Sequence, residues 1–351
     1  MKFTQSFVLA CAMFAAAQGI AMADNGAPAT LQVPAKSLPV PTDVSPELQK
    51  LIAAPLNPAW NDLWTTGEQW RTAANAQAAK VVTTLPAMLK RLHVTEKSET
   101  IDGVKVYEVT PDFIPPEHRD KLLIHVHGGC YELFPGASGT TEAILMAGLG
   151  HYKVISVDYR MPPEAYFPAA LDDAMKVYKA SLTTTDPKNL GVFGTSAGGA
   201  LVLEMMLRAK QEGLRMPGAI APGTPMSDIT KTGDSFYTNE KVDNVLVSRD
   251  GFCDAAAVVY AHGHDLKDPL LSPVYGDMHG FPPAILTTGT RDLLLSNTVR
   301  VHRKLREAGV DAQLEVFEGM SHAQYQVDDR IPEDREAFGE ITEFFDKHLG
   351  H

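Results

Sequence analysis

The chain has 351 residues and a formal net charge of −12, from 43 acidic against 31 basic side chains. That balance argues against nucleic acid or an anionic membrane as the natural partner. The 44% hydrophobic and 21% charged shares are those of a folded globular chain, not a disordered one.

At the N-terminus, Lys2 supplies a positive charge and residues 7–17 form an apolar run too short to cross a bilayer. Ala21-Met22-Ala23 then fits the small-x-small pattern of a signal-peptidase site. These features predict a secretory signal over residues 1–23, a mature chain starting near Asp24 and a periplasmic or secreted protein. A buried N-terminal helix is the structural alternative. A lipoprotein reading at Cys11 leaves a very short apolar region and ranks below cleavage at Ala23. Beyond this segment no apolar run is long enough for a membrane span.

Residues 24–46 are rich in Pro and Ala and read as an extended arm. Ser45-Pro46-Glu47 is a helix start, with a capping side chain followed by Pro at the first helical position. A longer helical stretch is expected over residues 68–92, interrupted at Pro86. Trp60, Trp64 and Trp70 fall in this region, and at least two of them are expected to build core. Residues 24–100 thus form an N-terminal arm and helical cap segment.

The catalytic domain is expected over residues 101–351. Short β-rich runs at residues 104–109, 121–126, 153–157, 189–194, 219–222, 284–288 and 313–317 alternate with helical segments. This is the pattern of an α/β fold with a mostly parallel sheet covered on both faces. Residues 227–264 break the rhythm and read as an insertion.

Gly194-Thr195-Ser196-Ala197-Gly198 fits the G-x-S-x-G nucleophile elbow, with a β-rich run before it and a helical stretch after it. The glycines let neighbouring backbone pass without Cβ clashes, and the following helix turns its N–H groups toward an anion formed at Ser196. Upstream, His127-Gly128-Gly129-Cys130 ends a strand. Its glycines, with Ala197, are the expected oxyanion hole: the N–H groups of Gly128, Gly129 and Ala197 aimed at a developing carbonyl oxyanion. An acid and a histidine must follow the serine in that order. Asp292 lies just past the run at 284–288 and His322 just past that at 313–317, where a parallel sheet places its site. His302, in a basic helical run, is the competing histidine and reads as a solvated face.

The expected chemistry is nucleophilic acyl transfer. His322 takes the Ser196 proton, Asp292 holds the imidazole, and an acyl-enzyme forms and is hydrolysed. His125 with His127, and His262-Gly263-His264-Asp265, are locally rich in ligand types. They lack standard zinc spacing, and neither a metal nor another cofactor is expected. Cys130 and Cys253 remain after signal removal, and the sequence leaves open whether they pair.

These motifs resemble the bacterial hormone-sensitive-lipase-like (family IV) carboxylesterases, over roughly residues 120–325. Asp158-Tyr159-Arg160-Met161-Pro162-Pro163-Glu164 is similar to that family's DYRLAPE segment. Phe167-Pro168-Ala169-Ala170-Leu171-Asp172-Asp173, Asp268-Pro269-Leu270-Leu271-Ser272-Pro273 and Gly280-Phe281-Pro282-Pro283 extend the match. The resemblance implies an α/β-hydrolase fold with an eight-stranded sheet. It also implies a helical cap built from the N-terminal region and the insertion after the sixth strand. The activity implied is hydrolysis of short- to medium-chain carboxylic esters.

Three positions depart from the pattern. Cys130 replaces the third glycine of HGGG, Asp292 stands in a Gly-Thr-Arg-Asp context, and Ala323-Gln324 follows the histidine. A lactonase, or a hydrolase of a bulky ester, would use the same residues. A non-catalytic small-ligand binder with this fold commonly lacks a triad member, whereas all three are present here. The sequence leaves the oligomeric state, monomer or homodimer, open.

Overall fold

A computed structural model describes residues 30–350, so the signal segment expected over residues 1–23 lies outside the described residues. Residues 30–39 carry no helix or strand.

From Val40 onward the chain builds an eight-stranded sheet: β1 (Val94–Ile101), β2 (Val104–Pro111), β3 (Leu122–Val126), β4 (Val154–Val157), β5 (Leu190–Thr195), β6 (Ala219–Gly223), β7 (Ala284–Gly289) and β8 (Ala312–Phe317). The spatial order is β1-β2-β4-β3-β5-β6-β7-β8. β2 is antiparallel to both β1 and β4, and every later pairing is parallel. β5, β6 and β7 are buried at every residue. That two-sided burial explains why they read as continuous apolar runs without alternation.

The helices are α1 (Pro46–Ile52), α2 (Gly67–Val81), α3 (Leu85–Leu92), α4 (Thr141–Gly150), α5 (Ala169–Thr184), α6 (Ala197–Gln211), α7 (Ser235–Thr238), α8 (Phe252–Ala261), α9 (Leu295–Glu307) and α10 (Pro332–His348). Apolar residues of α5, α6 and α9 share one core with Trp70 of α2 and Tyr260 of α8. Residues of α3, α4 and α10 fill a second core, and Leu48 and Ile52 of α1 join Met320 and Tyr325 in a third, smaller one. Trp64 packs edge-on against the buried Trp70, so the two build core as expected.

Two details differ from the sequence reading. β1 was not anticipated, because Val-Thr-Glu-Lys-Ser-Glu-Thr-Ile is an edge strand with a single fully buried residue and no apolar alternation. The boundary placed between residues 100 and 101 therefore cuts a β-hairpin whose turn, Asp102-Gly103, has φ of 47° and 76°. This is the Asp-Gly type I′ signal. The helix break also falls before Pro86: α2 stops at Val81, and Pro86 sits in the first turn of α3, where its missing N–H costs nothing.

The segment between β6 and β7 carries α7 and α8.

Candidate active site

β5 ends at Thr195 and α6 begins at Ala197, so Ser196 alone makes the turn, with φ 64° and ψ −121°. A non-glycine residue in that region is strained, and the surroundings must hold it there. They do so through the main chain: Ser196 N–H donates to Gly223 O (2.9 Å), and Ser196 O accepts from Ala200 and Met226 N–H (3.0 and 2.9 Å). Two glycines make the turn sterically possible. A Cβ on Gly194 would stand 2.2 Å from Val126 O, and one on Gly198 2.0 Å from the same atom.

Below the serine lies a buried polar network. Thr195 Oγ1 donates to Glu142 Oε1 (2.7 Å) and lies 2.6 Å from the Tyr325 hydroxyl. His125, buried on β3, bridges Ser156 (2.8 Å) and Glu142 (3.1 Å). Tyr325 follows His322 by three residues, so this network ties the elbow to the histidine loop.

Gly128 lies against the elbow: a Cβ there would meet Thr195 O at 2.7 Å and Ser196 Cβ at 3.3 Å. Gly129 has φ 105°, open only to glycine. The N–H groups of Gly128 and Gly129 have no backbone acceptor among the described residues. His127 braces the loop, with Nδ1 2.7 Å from Gly128 O and its ring stacked on Tyr159 at 4.1 Å. Burial lowers the His127 pKa to about 4, so it stays neutral. Burial also raises Glu132 to about 9, which keeps that carboxyl protonated at neutral pH. The loop therefore presents no negative charge from Glu132 that would oppose an oxyanion.

Cys130 (φ 54°) forms a disulfide with Cys253 of α8, 123 residues away. The question left open by the sequence is thus decided in favour of pairing, because α8 packs against the loop that follows β3. The next residue, Tyr131, stacks on Tyr260 of α8 at 4.3 Å and donates to Glu204 Oε1 (2.9 Å). A cross-link closing so long a loop contributes about 2–5 kcal/mol of stability.

Asp292 and His322 come together from the loops after β7 and β8. His322 Nδ1 is 3.1 Å from Asp292 Oδ1, and both side chains are buried. The carboxylate is saturated with donors. Oδ1 also accepts from Leu294 N–H (2.7 Å), and Oδ2 accepts from Thr224 Oγ1 (2.5 Å) and Thr288 Oγ1 (3.0 Å). Thr224 follows Gly223, the residue that receives the Ser196 N–H, so the dyad lies beside the elbow. Donation from Nδ1 to Asp292 leaves the lone pair of a neutral His322 on Nε2. Nε2 is buried without a protein partner. It makes no hydrogen bond to Ser196. Burial works to lower the His322 pKa, but the charge and hydrogen bond of Asp292 and the charge of Asp243 outweigh it and raise it.

His302 lies on α9 with Nε2 3.2 Å from Ala312 O, at the start of β8. His262 stacks on Tyr166 and His264 packs edge-on against Phe167. Two groups escaped the sequence reading. Thr224 was detectable in principle, since it directly follows a parallel strand's C-terminal end. Asp243 had no motif around it.

A groove of about 670 Å³ runs along α2, lined by Trp64, Trp70, Gln69 and Asn57 together with Leu133 of the loop after β3 and Phe252 of α8.

Comparison with known proteins agrees with this fold. A family model described as an α/β hydrolase fold matches residues 123–326. An esterase of Acinetobacter venetianus is 31% identical over 229 residues, 64% of this chain and 74% of that protein. The carboxylesterase NlhH of Mycobacterium tuberculosis is 30% identical over 273 residues, 73% of this chain and 83% of its own. The crystal structure of esterase E25 superimposes with a TM-score of 0.88 at 43% identity, covering 91% of this chain and 99% of that one. An esterase from the bacterial hormone-sensitive lipase family gives 0.69 at 28% identity, over 74% and 86% of the two chains. The chain belongs to the α/β-hydrolase family, within its hormone-sensitive-lipase-like esterases.

Proposed function

We propose that this protein is a periplasmic or secreted carboxylesterase that cleaves short- to medium-chain esters through an acyl-enzyme on Ser196. The observation that carries the reading is the buried Asp292–His322 pair set beside the strained Ser196 turn. In this reading His322 Nε2 accepts the proton as Ser196 Oγ attacks the ester carbonyl. Asp292 stabilises the resulting imidazolium, and the N–H groups of Gly128, Gly129 and Ala197 hold the oxyanion. His322 then protonates the leaving alkoxide. Water, deprotonated by the same imidazole, releases the acid and restores Ser196. The groove beside Leu133 and Phe252 is within the size range of small-molecule sites, about 300–1,000 Å³.

The test is turnover of p-nitrophenyl acetate, butyrate, octanoate and palmitate by residues 24–351, with Ser196→Ala alongside. Wild-type turnover of the short esters, lost in the variant together with fluorophosphonate labelling, is the expected result. A folded wild type that neither turns over an ester nor takes up the fluorophosphonate would point to a ligand-binding protein instead.

Export is supported by the signal pattern over residues 1–23 and by the Cys130–Cys253 bond, which persists in oxidising compartments. Expression of the full chain in an export-competent bacterium is expected to give an intact mass starting near Asp24 and lacking two thiol hydrogens. A product that retains residues 1–23, or carries free thiols after export, argues against this location.

A further inference from the structure

We infer that Asp243, a buried carboxylate of the insertion, is a positioning residue that fixes the Asp292 loop against the His322 loop and places a second negative charge beside the imidazole. The inference rests on the assignment of Ser196, Asp292 and His322 as the catalytic triad.

Asp243 lies between α7 and α8 and has no exposed surface. Its two oxygens serve different parts of the molecule. Oδ1 accepts from Val245 N–H (2.8 Å) and Leu246 N–H (3.0 Å), which closes the local turn. Oδ2 accepts from Leu293 N–H (2.8 Å) and from His322 N–H itself (3.2 Å). One oxygen thus bridges the residue after the triad acid and the main chain of the triad base. These two residues sit on loops that also meet through the Arg291 N–H bond to Met320 O (3.0 Å) and through the Asp292–His322 side-chain pair (3.1 Å).

Neighbouring residues of the insertion repeat the pattern. Asn239 Nδ2 donates to Asp292 O (2.8 Å) and Thr290 O (3.2 Å). Asn244 N–H donates to Ser321 Oγ (3.2 Å), and Asn244 Oδ1 accepts from Gln324 Nε2 (3.1 Å). Asn244 Nδ2 in turn donates to Leu51 O (2.8 Å) and Ala54 O (3.1 Å), at the end of α1. The insertion therefore does more than cover the site, since it sets the relative placement of two triad members. A buried carboxylate needs such a full set of donors to stay ionised.

The ionisable groups that act on Asp243 are Asp292, whose charge opposes its ionisation, and His322, whose charge favours it. Burial and Asp292 together raise the Asp243 pKa to about 6. Above that pH its charge adds to that of Asp292 in stabilising the imidazolium. His322 acts as a base only when neutral, so kcat/KM falls as pH drops through the His322 pKa. Removing the Asp243 charge lowers that pKa, and the acid limb then moves to lower pH.

The variants to compare are Asp243→Asn, Asp243→Glu, Asp292→Asn and the Asp243→Asn/Asp292→Asn double. Each is assayed with p-nitrophenyl butyrate from about pH 5 to 9 and checked for fold by near-ultraviolet circular dichroism. In Asp243→Asn the amide NH₂ must face one of the two pairs of N–H donors. The expected result is a kcat loss of about 10–100-fold, the scale of a small misplacement of reacting groups, with KM changed less than about threefold. The acid limb is expected to shift down by about half a unit to one unit. Asp243→Glu keeps the charge, so its acid limb should stay at the wild-type position while kcat remains depressed. In the Asp292→Asn background, Asp243→Asn should cost less than about threefold, because the geometry it supports is already lost.

A folded Asp243→Asn with wild-type kcat and acid limb overturns the inference. So do losses that simply multiply in the double variant. Should Asp243→Asn not fold, Asp243→Glu decides the matter, and full kcat there overturns the inference. An inactive wild type removes the esterase reading and this inference together, whereas an active wild type with an unaffected Asp243→Asn removes only the second.

Discussion

Replacing His322 by alanine is expected to lower kcat on p-nitrophenyl butyrate by about 10⁴-fold or more while leaving the fold intact. Without the imidazole no group is placed to take the Ser196 proton, and the serine hydroxyl is a weak nucleophile on its own. Residual turnover would come from the oxyanion donors and binding alone, the scale found when one triad member is removed. The fold should survive because the carboxylate left behind keeps its other partners. Asp292 still accepts from Leu294 N–H, Thr224 Oγ1 and Thr288 Oγ1. Asp292→Asn is expected to cost a similar factor for a different reason. An amide NH₂ facing Nδ1 favours the wrong tautomer and moves the proton onto Nε2. Steady-state kinetics with melting curves check both variants, and a folded His322→Ala within tenfold of wild type would remove His322 as the base.

Gly198→Ala is expected to be worse for the protein as a whole: a loss of about 3–5 kcal/mol or failure to fold, with no active soluble fraction. The added methyl would lie 2.0 Å from Val126 O, 2.8 Å from His127 C and 2.9 Å from His127 O. All three atoms are backbone. No rotamer change relieves the clash, so either α6 or the end of β3 must move. Such a shift is among the few mechanisms that produce very large single-site effects. The end of β3 leads directly into the Gly128–Gly129 loop, so even a folded variant would have that loop displaced. Gly339→Ala is the control, because nothing lies within 4 Å of a Cβ there and it sits in α10. Urea unfolding of both variants separates a local steric effect from a general intolerance of alanine. Wild-type stability in Gly198→Ala would contradict the described elbow.

Much of this architecture was legible in the residues because its causes are local. Buried parallel strands need unbroken apolar runs, and those at residues 189–194, 219–222, 284–288 and 313–317 each lie within a residue or two of a strand. The elbow was legible because the tight turn demands glycine at both flanks of Ser196. Asp292 and His322 were legible because a parallel sheet presents its chemistry at the C-terminal ends of strands. β1 was missed for the opposite reason: an edge strand with one face in solvent needs little apolar sequence, and only its Asp102-Gly103 turn betrayed it.

By itself the sequence determined the α/β order of elements, the serine at a strand-to-helix turn and the positions of an acid and a histidine after later strands. Those follow from periodicity and from sterics acting over a few residues. Only the tertiary structure decided which distant groups meet. The Cys130–Cys253 bond spans 123 residues, and Thr224 reaches Asp292 across two strands' ends. Asp243 receives N–H groups from residues 50 and 79 positions away. A buried carboxylate is chosen by the donors that converge on it. Those donors are brought together by the packing of the insertion, which leaves no period or motif in the chain.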